Sequence, residues 1–129
     1  MRRQFRVSTK AALYDTSRLR VLVIHMDQNN DWGLPGGHVE EDETPDEAMI
    51  RELYEECGVS SPDLQHADFF MHSEGKLILS YVGTTMDEVL KSPQNNLEGI
   101  PKWLTKDGFL KINIEPAYRE LVLKNWMSS

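Results

Sequence analysis

Three glutamates near the middle of the chain, Glu52, Glu55 and Glu56, have a spacing that could bind a cation. On an α-helix, residues at i, i+3 and i+4 share one side, with Cβ atoms about 5–6 Å apart. Like charges at these spacings repel by roughly 0.2–0.5 kcal/mol per pair, and acids in a helix's last turn oppose its dipole by about 0.3–1 kcal/mol. A divalent cation would reverse both effects, and oxygen ligands without His or Cys favour Mg²⁺ or Mn²⁺ over zinc. The alternative is an acidic face that is merely solvated.

The acidic residues of the chain are concentrated around these glutamates. The formal net charge is −7, yet the segment 40–56 alone contains nine acidic residues and a single basic one, Arg51. Outside this segment, 13 basic residues nearly balance 12 acidic ones. A focus of acidity indicates a cation site more than general solubility. The sequence has no basic stretch of comparable density, which argues against a nucleic-acid polymer as a partner.

The glutamates fall on a segment whose sequence marks both ends of a helix. Thr44 suits the N-cap, Pro45 suits the first helical position, and Glu47 completes a Thr-x-x-Glu capping box. Gly58 suits a left-handed C-terminal cap, so the helix is predicted to end at residue 57. At about 100° per residue, one apolar stripe is predicted to face the core, roughly opposite the glutamates. This stripe consists of Ile50, Leu53, Tyr54 and Cys57.

Apolar and β-branched runs elsewhere predict the strands that position this helix. We expect strands at 5–14, 19–26, 64–72 and 76–82, and shorter extended segments at 32–35 and 101–104. A polar loop is predicted at 91–96 and a closing helix at 116–126. Strands on both sides of a central helix imply an α/β fold with a mixed sheet covered on two faces. The length of 129 residues suits a single domain over residues 1–129.

The composition argues against several other classes of protein. The single cysteine, Cys57, excludes a disulfide framework and a Cys-rich zinc site. The longest apolar run, 21–24, is far too short to cross a bilayer, so no membrane partner is expected. Arg2 and Arg3 are not followed by the apolar stretch that an export signal needs. We therefore expect a cytoplasmic protein.

The acidic helix and the glycines before it form one extended motif. Gly37 is separated by five residues from Glu43, and Glu43 by seven residues from the run Arg-Glu-Leu-Tyr-Glu-Glu-Cys-Gly-Val at 51–59. This pattern resembles the Nudix box, the signature of the Nudix hydrolases, at every defined position, and the Trp-Gly-Leu-Pro-Gly-Gly run at 32–37 resembles the family's usual approach to the box. The resemblance implies a Nudix-type α/β/α sandwich with a central mixed β-sheet.

The resemblance also implies roles for the residues of the box. Glu55 and Glu56 would be the principal metal ligands, and Glu52 a further ligand or the base for the attacking water. The Gly36 carbonyl would be another ligand, since a glycine pair lets backbone approach an ion closely. Arg51 would pair with Glu43 and so hold the loop to the helix.

Four residues outside the helix are further candidates. Glu98 resembles a distal loop glutamate that some family members use as an extra ligand or base; a solvated loop residue is the alternative. His38 follows the glycine pair where a phosphate-contacting Lys often lies, although it could equally be an ordinary surface histidine. Tyr118 is a candidate for stacking on a nucleobase. In the oxidised-guanine triphosphatases that the chain resembles in size, an Asn shortly after a Pro-Ala pair reads the base; here Tyr118 follows that pair, and Asn113 is the candidate substitute.

Family members cleave a nucleoside diphosphate linked to another group, by attack of water on phosphorus. We therefore expect Mg²⁺-dependent hydrolysis, with Mn²⁺ as a substitute, of a nucleoside triphosphate to monophosphate and pyrophosphate. An oxidised triphosphate such as 8-oxo-dGTP is one candidate. The alternatives are an ADP-sugar or dinucleoside polyphosphate pyrophosphohydrolase, and a catalytically silent Nudix module that binds or senses a ligand. The expected partner is a small nucleotide, and the protein is expected to be a monomer or homodimer.

Overall fold

A computed structural model describes residues 6–26, 30–73, 75–88 and 99–126 of the chain. The strands are β1 (Arg6–Asp15), β2 (Arg20–Met26), β3 (Asp31–Gly33), β4 (Asp63–Ser73), β5 (Lys76–Thr85), β6 (Ile100–Thr105) and β7 (Asn113–Ile114). The helices are α1 (Pro45–Cys57), α2 (Lys106–Leu110) and α3 (Pro116–Asn125). Each long element predicted from the sequence is present, with its ends shifted by up to three residues.

The strands form one mixed sheet in the order β4-β5-β1-β2-β3-β7, and β6 pairs with β2 beside this path. β1 runs parallel to β5 along its whole length and antiparallel to β2. Consecutive β1 residues 11–14 are all buried, as expected for a central strand with both faces covered. The predicted mixed sheet is therefore confirmed.

Two apolar cores lie on opposite faces of this sheet. On one face, Met49, Leu53 and Cys57 of α1 pack with a buried set from the sheet that includes Leu13 and Leu22. On the other face, α2 and α3 pack on the neighbouring, oppositely directed side chains of the same strands. This arrangement of helices on both faces of the sheet is the α/β/α layering expected from the sequence.

Both predicted ends of α1 are confirmed. The Thr44 side chain accepts from Glu47 N at 3.2 Å, and the Glu47 carboxylate accepts from Thr44 N at 2.8 Å, which completes the capping box. Gly58 adopts the left-handed conformation, and its N–H donates to Tyr54 O at 3.0 Å. These caps fix where the helix begins and ends, and so where its glutamates lie relative to the preceding loop.

The predicted core-facing stripe of α1 is partly wrong. Leu53 and Cys57 are buried as expected, but Ile50 is 48% exposed and Tyr54 is 54% exposed. The buried row is Met49, Leu53 and Cys57, at i, i+4 and i+8. The helix is thus turned about its axis relative to the prediction, because its glutamates contact a loop at the edge of the buried face instead of facing solvent on the far side.

This orientation predicts different costs for two truncations on α1. Leu53→Ala should lower the free energy of unfolding by about 2–5 kcal/mol, because it leaves a cavity beneath the helix. Ile50→Ala, the matched control, should cost less than about 1 kcal/mol, because about half of its side chain already contacts water. Urea denaturation measures both. Equal costs would support the stripe predicted from the sequence over the observed orientation.

Two short elements were not predicted. α2 has five residues and includes Gly108, a poor helix former, and its Thr105 cap was not recognised. β7 is only two residues long and pairs with β3 across a wide sequence separation. The predicted loop at 91–96 lies outside the described residues. None of the helices in the described ranges is long and apolar enough to cross a bilayer.

Candidate active site

The segment between β3 and α1 carries the glycine pair and runs alongside β1, to which it is hydrogen-bonded. Thr9 N donates to Gly37 O at 2.9 Å, and Val39 N donates to Val7 O at 2.9 Å. Gly36 has a φ of 143°, and a Cβ there would overlap the Thr9 carbonyl oxygen. Glycine is therefore required at position 36, both for the backbone conformation and for the close contact with β1.

Glu52 and Glu56 on α1 contact this glycine pair. Gly36 N donates to Glu56 Oε1 at 2.8 Å. A Cβ on Gly37 would overlap the carboxylate of Glu52, whose side chain is only 12% exposed. The two glycines thus allow the helix carboxylates to reach the loop backbone, and the caps of α1 hold those carboxylates in place.

Glu52 and Glu56 line a cavity of about 510 Å³ that also carries cationic side chains. Lys10 extends from β1 and Lys76 from β5. Lys10 Nζ donates to two carbonyl oxygens of the loop, Leu34 O at 3.3 Å and Gly36 O at 3.4 Å. The cavity therefore places carboxylates, a backbone carbonyl and ammonium groups together, which suits a ligand that combines a cation with an anion.

His38 lies at the same cavity, on the exposed side of the loop. Its Nδ1 is 3.1 Å from Ser8 Oγ, a second polar group on the cavity wall. This hydrogen bond restrains the imidazole ring relative to β1. The candidate phosphate contact predicted from the sequence is thus close to the carboxylates, with a polar neighbour of its own.

Arg51 joins the loop to the helix through several hydrogen bonds. Its Nε and Nη2 donate to the two oxygens of Glu43, at 3.0 and 2.7 Å, and Nη2 also donates to His38 O at 3.1 Å. The hydrogen bonds from Arg51 hold the pKa of Glu43 below its ordinary value, and the same contacts raise the pKa of Arg51. Both groups therefore stay ionised near neutral pH, and the predicted ion pair is present.

Glu55 contacts Arg51 and does not line the cavity with Glu52 and Glu56. Its Oε1 accepts from Arg51 Nη1 at 2.9 Å, and its side chain is 36% exposed. Within the part of the chain that the structure describes, Glu55 is not among the residues that line the cavity. Two of the three glutamates therefore line the cavity, whereas Glu55 pairs with Arg51, whose Nη1 is also 3.8 Å from Glu52 Oε1.

The donor set of the cavity fits a hard divalent cation. Gly36, Glu52 and Glu56 contribute one carbonyl and two carboxylates, all oxygen donors, and Mg²⁺ prefers such ligands. The Glu52 carboxylate lies where a Cβ on Gly37 would be, so it packs against the glycine pair. Among residues 6–26, 30–73, 75–88 and 99–126, no three His, Cys, Asp or Glu side chains form a metal-binding group by themselves.

Two of the remaining sequence candidates, Tyr118 and Asn113, do not line the cavity, although Lys10 Nζ lies 5.9 Å from the centre of the Tyr118 ring. Tyr118 is buried in the core, where it packs on Phe70 and His72, and burial raises its pKa to about 12. Asn113 is exposed on β7 and donates to Asp31 Oδ1 at 2.8 Å. Neither residue is among those described as lining the cavity. Glu98 lies outside the described residues.

Cys57 is buried on the core side of α1, as the sequence predicted. Burial raises the pKa of its thiol, and the nearby carboxylates of Glu56 and Glu52 raise it further. The thiol is therefore protonated at neutral pH and is not a nucleophile.

Lys10 and Lys76 were not identified from the sequence. Lys10 interrupts a strand whose next four residues are all buried, and this placement of a charge was the available signal. A charged residue beside buried positions in a central strand requires a polar partner, which the loop carbonyls provide. For Lys76, at the start of β5, the sequence offered no comparable signal.

Comparisons with known proteins bear on what this site is. The family model of the NUDIX domain matches residues 4–124. A 40-residue segment is 48% identical to a MutT-like protein of Streptomyces ambofaciens, over 31% of this chain and 26% of that protein. A 34-residue segment is 56% identical to an RNA pyrophosphohydrolase of Shewanella sediminis, over 26% of this chain and 20% of the relative. These matches span less than a third of the length of either curated relative.

The fold is shared with solved structures over nearly the whole chain. The NUDIX domain of Shewanella oneidensis NrtR, solved in complex with ADP ribose, superposes with a TM-score of 0.79. The similarity covers 96% of this chain and 87% of that one, at 19% identity. This similarity shows the fold, and the family match over residues 4–124 shows that this chain belongs to the NUDIX domain family.

Proposed function

We propose that this protein hydrolyses a nucleoside triphosphate to the monophosphate and pyrophosphate, with Mg²⁺ or Mn²⁺ as cofactor. An oxidised triphosphate such as 8-oxo-dGTP is within this class. The observation that carries the proposal is the cavity at the glycine pair, where two helix carboxylates, a loop carbonyl and two lysines meet.

The charges of the cavity suit a polyphosphate bound together with a cation. Glu52 and Glu56 alone would repel a triphosphate, so a divalent cation must lie between the carboxylates and the phosphates. Lys10 and Lys76 are the ammonium groups described at this cavity, and they can pair with phosphate oxygens that the cation does not neutralise. His38 offers a further hydrogen bond at the rim.

Glu52, Glu56 and the Gly36 carbonyl would hold the cation, with Glu55 as a further ligand if it exchanges its contact with Arg51. A bound divalent cation would neutralise phosphate charge and lower the pKa of water. The reaction needs a base, and the Glu52 carboxylate can accept the proton of the attacking water. The water oxygen bonds to phosphorus, the bridging P–O bond breaks, and its electron pair leaves with the pyrophosphate group.

Arg51 is a positioning residue in this proposal. It contacts Glu43, Glu55 and the His38 carbonyl, and so fixes the loop that carries the glycine pair against the helix that carries the carboxylates. A misplacement of about 1 Å at reacting groups can lower a rate about 10²-fold, so this rigidity matters for turnover as well as for folding.

Glu98 is a candidate for a further carboxylate at the site, in addition to those of α1. Glu98→Gln should lower kcat at saturating Mg²⁺ while leaving the melting temperature unchanged, if Glu98 supplies a ligand or base. Glu88→Gln removes an exposed carboxylate and is the matched control, expected to stay within about twofold of wild type. Steady-state kinetics decide the matter: a wild-type rate for Glu98→Gln would remove this residue from the site.

The experiment that tests the proposed function is chromatographic identification of the products formed from a nucleotide panel with Mg²⁺, because ADP-ribose and dinucleoside polyphosphates release neither phosphate nor pyrophosphate when their phosphoanhydride bond is cleaved. The panel contains the standard nucleoside triphosphates, 8-oxo-dGTP, ADP-ribose, a dinucleoside polyphosphate and a 5′-triphosphorylated RNA. We expect turnover of at least one triphosphate, with nucleoside monophosphate and pyrophosphate as products. Hydrolysis of none of these compounds by folded, Mg²⁺-loaded protein would contradict the proposal.

ADP-sugar hydrolysis is the second candidate, favoured by the structural similarity to a NUDIX domain solved with ADP ribose. Turnover of ADP-ribose or of a dinucleoside polyphosphate, without turnover of triphosphates, would select this class. Binding without any turnover would instead indicate a ligand-binding or sensor module. The RNA arm tests the activity named for the Shewanella sediminis relative, which matches only a short segment.

A further inference from the structure

The Lys10 ammonium contacts the same backbone carbonyl that the proposed cation would use. Lys10 Nζ donates to Leu34 O at 3.3 Å and to Gly36 O at 3.4 Å. The same Nζ lies 5.9 Å from the centre of the Tyr118 ring. Gly36 N donates to Glu56 Oε1 at 2.8 Å. Gly36 is therefore bonded to a carboxylate through its N–H and to an ammonium through its carbonyl oxygen.

The backbone at both ends of this contact is held in place. Lys10 is partly buried in β1, and the next four residues of that strand are buried. Gly36 packs directly on β1, because a Cβ at position 36 would overlap the Thr9 carbonyl oxygen. Lysine carries its ammonium on a flexible four-carbon chain. A change at this contact is therefore made by the end of the Lys10 side chain, while the Gly36 carbonyl stays where it is.

A divalent cation on Gly36 O would be repelled by this ammonium. A carbonyl oxygen has two lone pairs, so its bonding capacity alone allows it to accept from Lys10 and to bind a cation as well. The two positive charges would then lie within the roughly 4–6 Å over which one charge disfavours another of the same sign. Cation binding and the hydrogen bond from Lys10 to Gly36 therefore oppose each other.

The cavity offers the Lys10 ammonium other partners once it leaves Gly36 O. Leu34 O and the face of the Tyr118 ring are already beside it. A phosphate oxygen in the cavity would attract the ammonium more strongly than a neutral carbonyl does, because the phosphate carries a negative charge. A cation that arrives with a polyphosphate therefore supplies a replacement for the contact that it disrupts, whereas a cation alone does not.

On the basis of the proposed function, we infer that Lys10 couples the binding of the cation to the binding of the polyphosphate. Lys10 competes with the bare cation for Gly36 O, and it pairs with phosphate oxygens when cation and polyphosphate bind together. The site consequently selects the cation–polyphosphate complex over the cation alone. Because coupling between two ligands is reciprocal, a bound polyphosphate also strengthens the binding of the cation.

The first measurement compares Lys10→Met with Lys76→Met in the full chain. Each variant removes one ammonium from the same cavity, but in the part of the chain that the structure describes no hydrogen bond joins Lys76 to Gly36. Electron paramagnetic resonance measures the affinity for Mn²⁺ alone. We expect Lys10→Met to bind Mn²⁺ about fivefold or more tightly than wild type, at the low end of the range for coupled sites. Lys76→Met should gain less, because it removes only the general repulsion between charges in the cavity.

The second measurement adds a phosphate probe. Calorimetry at saturating Mn²⁺ gives the affinity for methylene diphosphonate, an analogue of pyrophosphate that is not hydrolysed. Lys10→Met should bind this probe about fivefold or more weakly than wild type, because the ammonium that pairs with the phosphates is gone. The two affinities of Lys10→Met thus change in opposite directions, whereas damage to the cavity would lower both. Thermal melting shows that each variant is folded, and Lys10→Gln replaces Lys10→Met if the latter does not fold.

A Mn²⁺ affinity of the folded Lys10 variant at or below that of wild type would overturn the inference, as would an equal gain in Lys76→Met. Unchanged affinity for methylene diphosphonate in the Lys10 variant would overturn it too, and so would the absence of Mn²⁺ binding in wild type and all variants. These outcomes leave the proposed function standing when wild type still hydrolyses a triphosphate. Failure of the proposed function is a separate result, namely that wild type hydrolyses no compound of the panel.

Discussion

Removal of divalent cations should abolish pyrophosphate release by this protein, and addition of Mg²⁺ or Mn²⁺ should restore it. The physical reason is the pair of carboxylates at the cavity, Glu52 and Glu56, which contact the glycine loop. Without a cation they repel the phosphates that Lys10 and Lys76 attract, and no described group of the cavity can neutralise the leaving pyrophosphate by itself. Turnover after dialysis against EDTA, with and without added metal, measures the effect.

Thermal melting provides the control for this experiment, because EDTA should leave the protein folded. Mg²⁺ should raise the melting temperature, since it relieves repulsion among clustered carboxylates. A ligand at about 100 times its Kd stabilises the native state by about 2.7 kcal/mol. Turnover that persists in excess EDTA would contradict the mechanism. An absent Mg²⁺ shift would instead indicate that substrate must bind before the cation site is complete.

The ends of α1 could be predicted because local chemistry determines them. Thr44, Glu47 and Gly58 act within one turn of the helix ends, and each interaction they form is visible in the order of residues. Capping depends on contacts between residues that are near neighbours in sequence, so it does not depend on the tertiary structure of the rest of the chain.

The orientation of α1 could not be predicted in the same way. Ile50 and Tyr54 are apolar enough to join a core stripe, yet they are half exposed. The helix has to bring Glu52 and Glu56 against a loop that pairs with β1, and this long-range requirement turns Met49 toward the sheet instead. Helical periodicity records which residues are apolar; it does not record which of them the tertiary contacts select.

The residues that line the cavity could likewise be predicted only in part, because some of them are brought together by tertiary contacts. One contiguous motif in the sequence predicted four of the residues that line the cavity, namely Gly36, His38, Glu52 and Glu56. Lys10 and Lys76 come from β1 and β5, separated by more than 60 residues in sequence, and only their parallel pairing brings the two strands together. Cationic groups that bind a polyanion can therefore come from any strand of the sheet, and sequence spacing alone does not reveal them.

Glu56→Gln should lower kcat by about 10²-fold or more while the protein stays folded. The substitution removes the charge but keeps an oxygen that can accept from Gly36 N, so the contact between helix and loop is retained. Stability should be unchanged or slightly higher, because one of several like charges on α1 is gone. Steady-state kinetics at saturating Mg²⁺ and thermal melting measure the two effects.

Glu120→Gln on α3 is the matched control for Glu56→Gln, since it removes an exposed helical carboxylate outside the described cavity lining. Binding of Mn²⁺, followed by electron paramagnetic resonance, separates the possible roles of Glu56. If Glu56 is a metal ligand, Glu56→Gln should bind Mn²⁺ more weakly and lose kcat in parallel. If Glu56 only holds the loop through its hydrogen bond, Glu56→Gln keeps that bond, and both Mn²⁺ affinity and kcat should be unchanged. Full activity and unchanged Mn²⁺ affinity in folded Glu56→Gln would therefore remove Glu56 from the metal site. The cation would then have to be bound by Glu52 and the remaining oxygen donors, and the contact of Glu56 with Gly36 would have only a structural role.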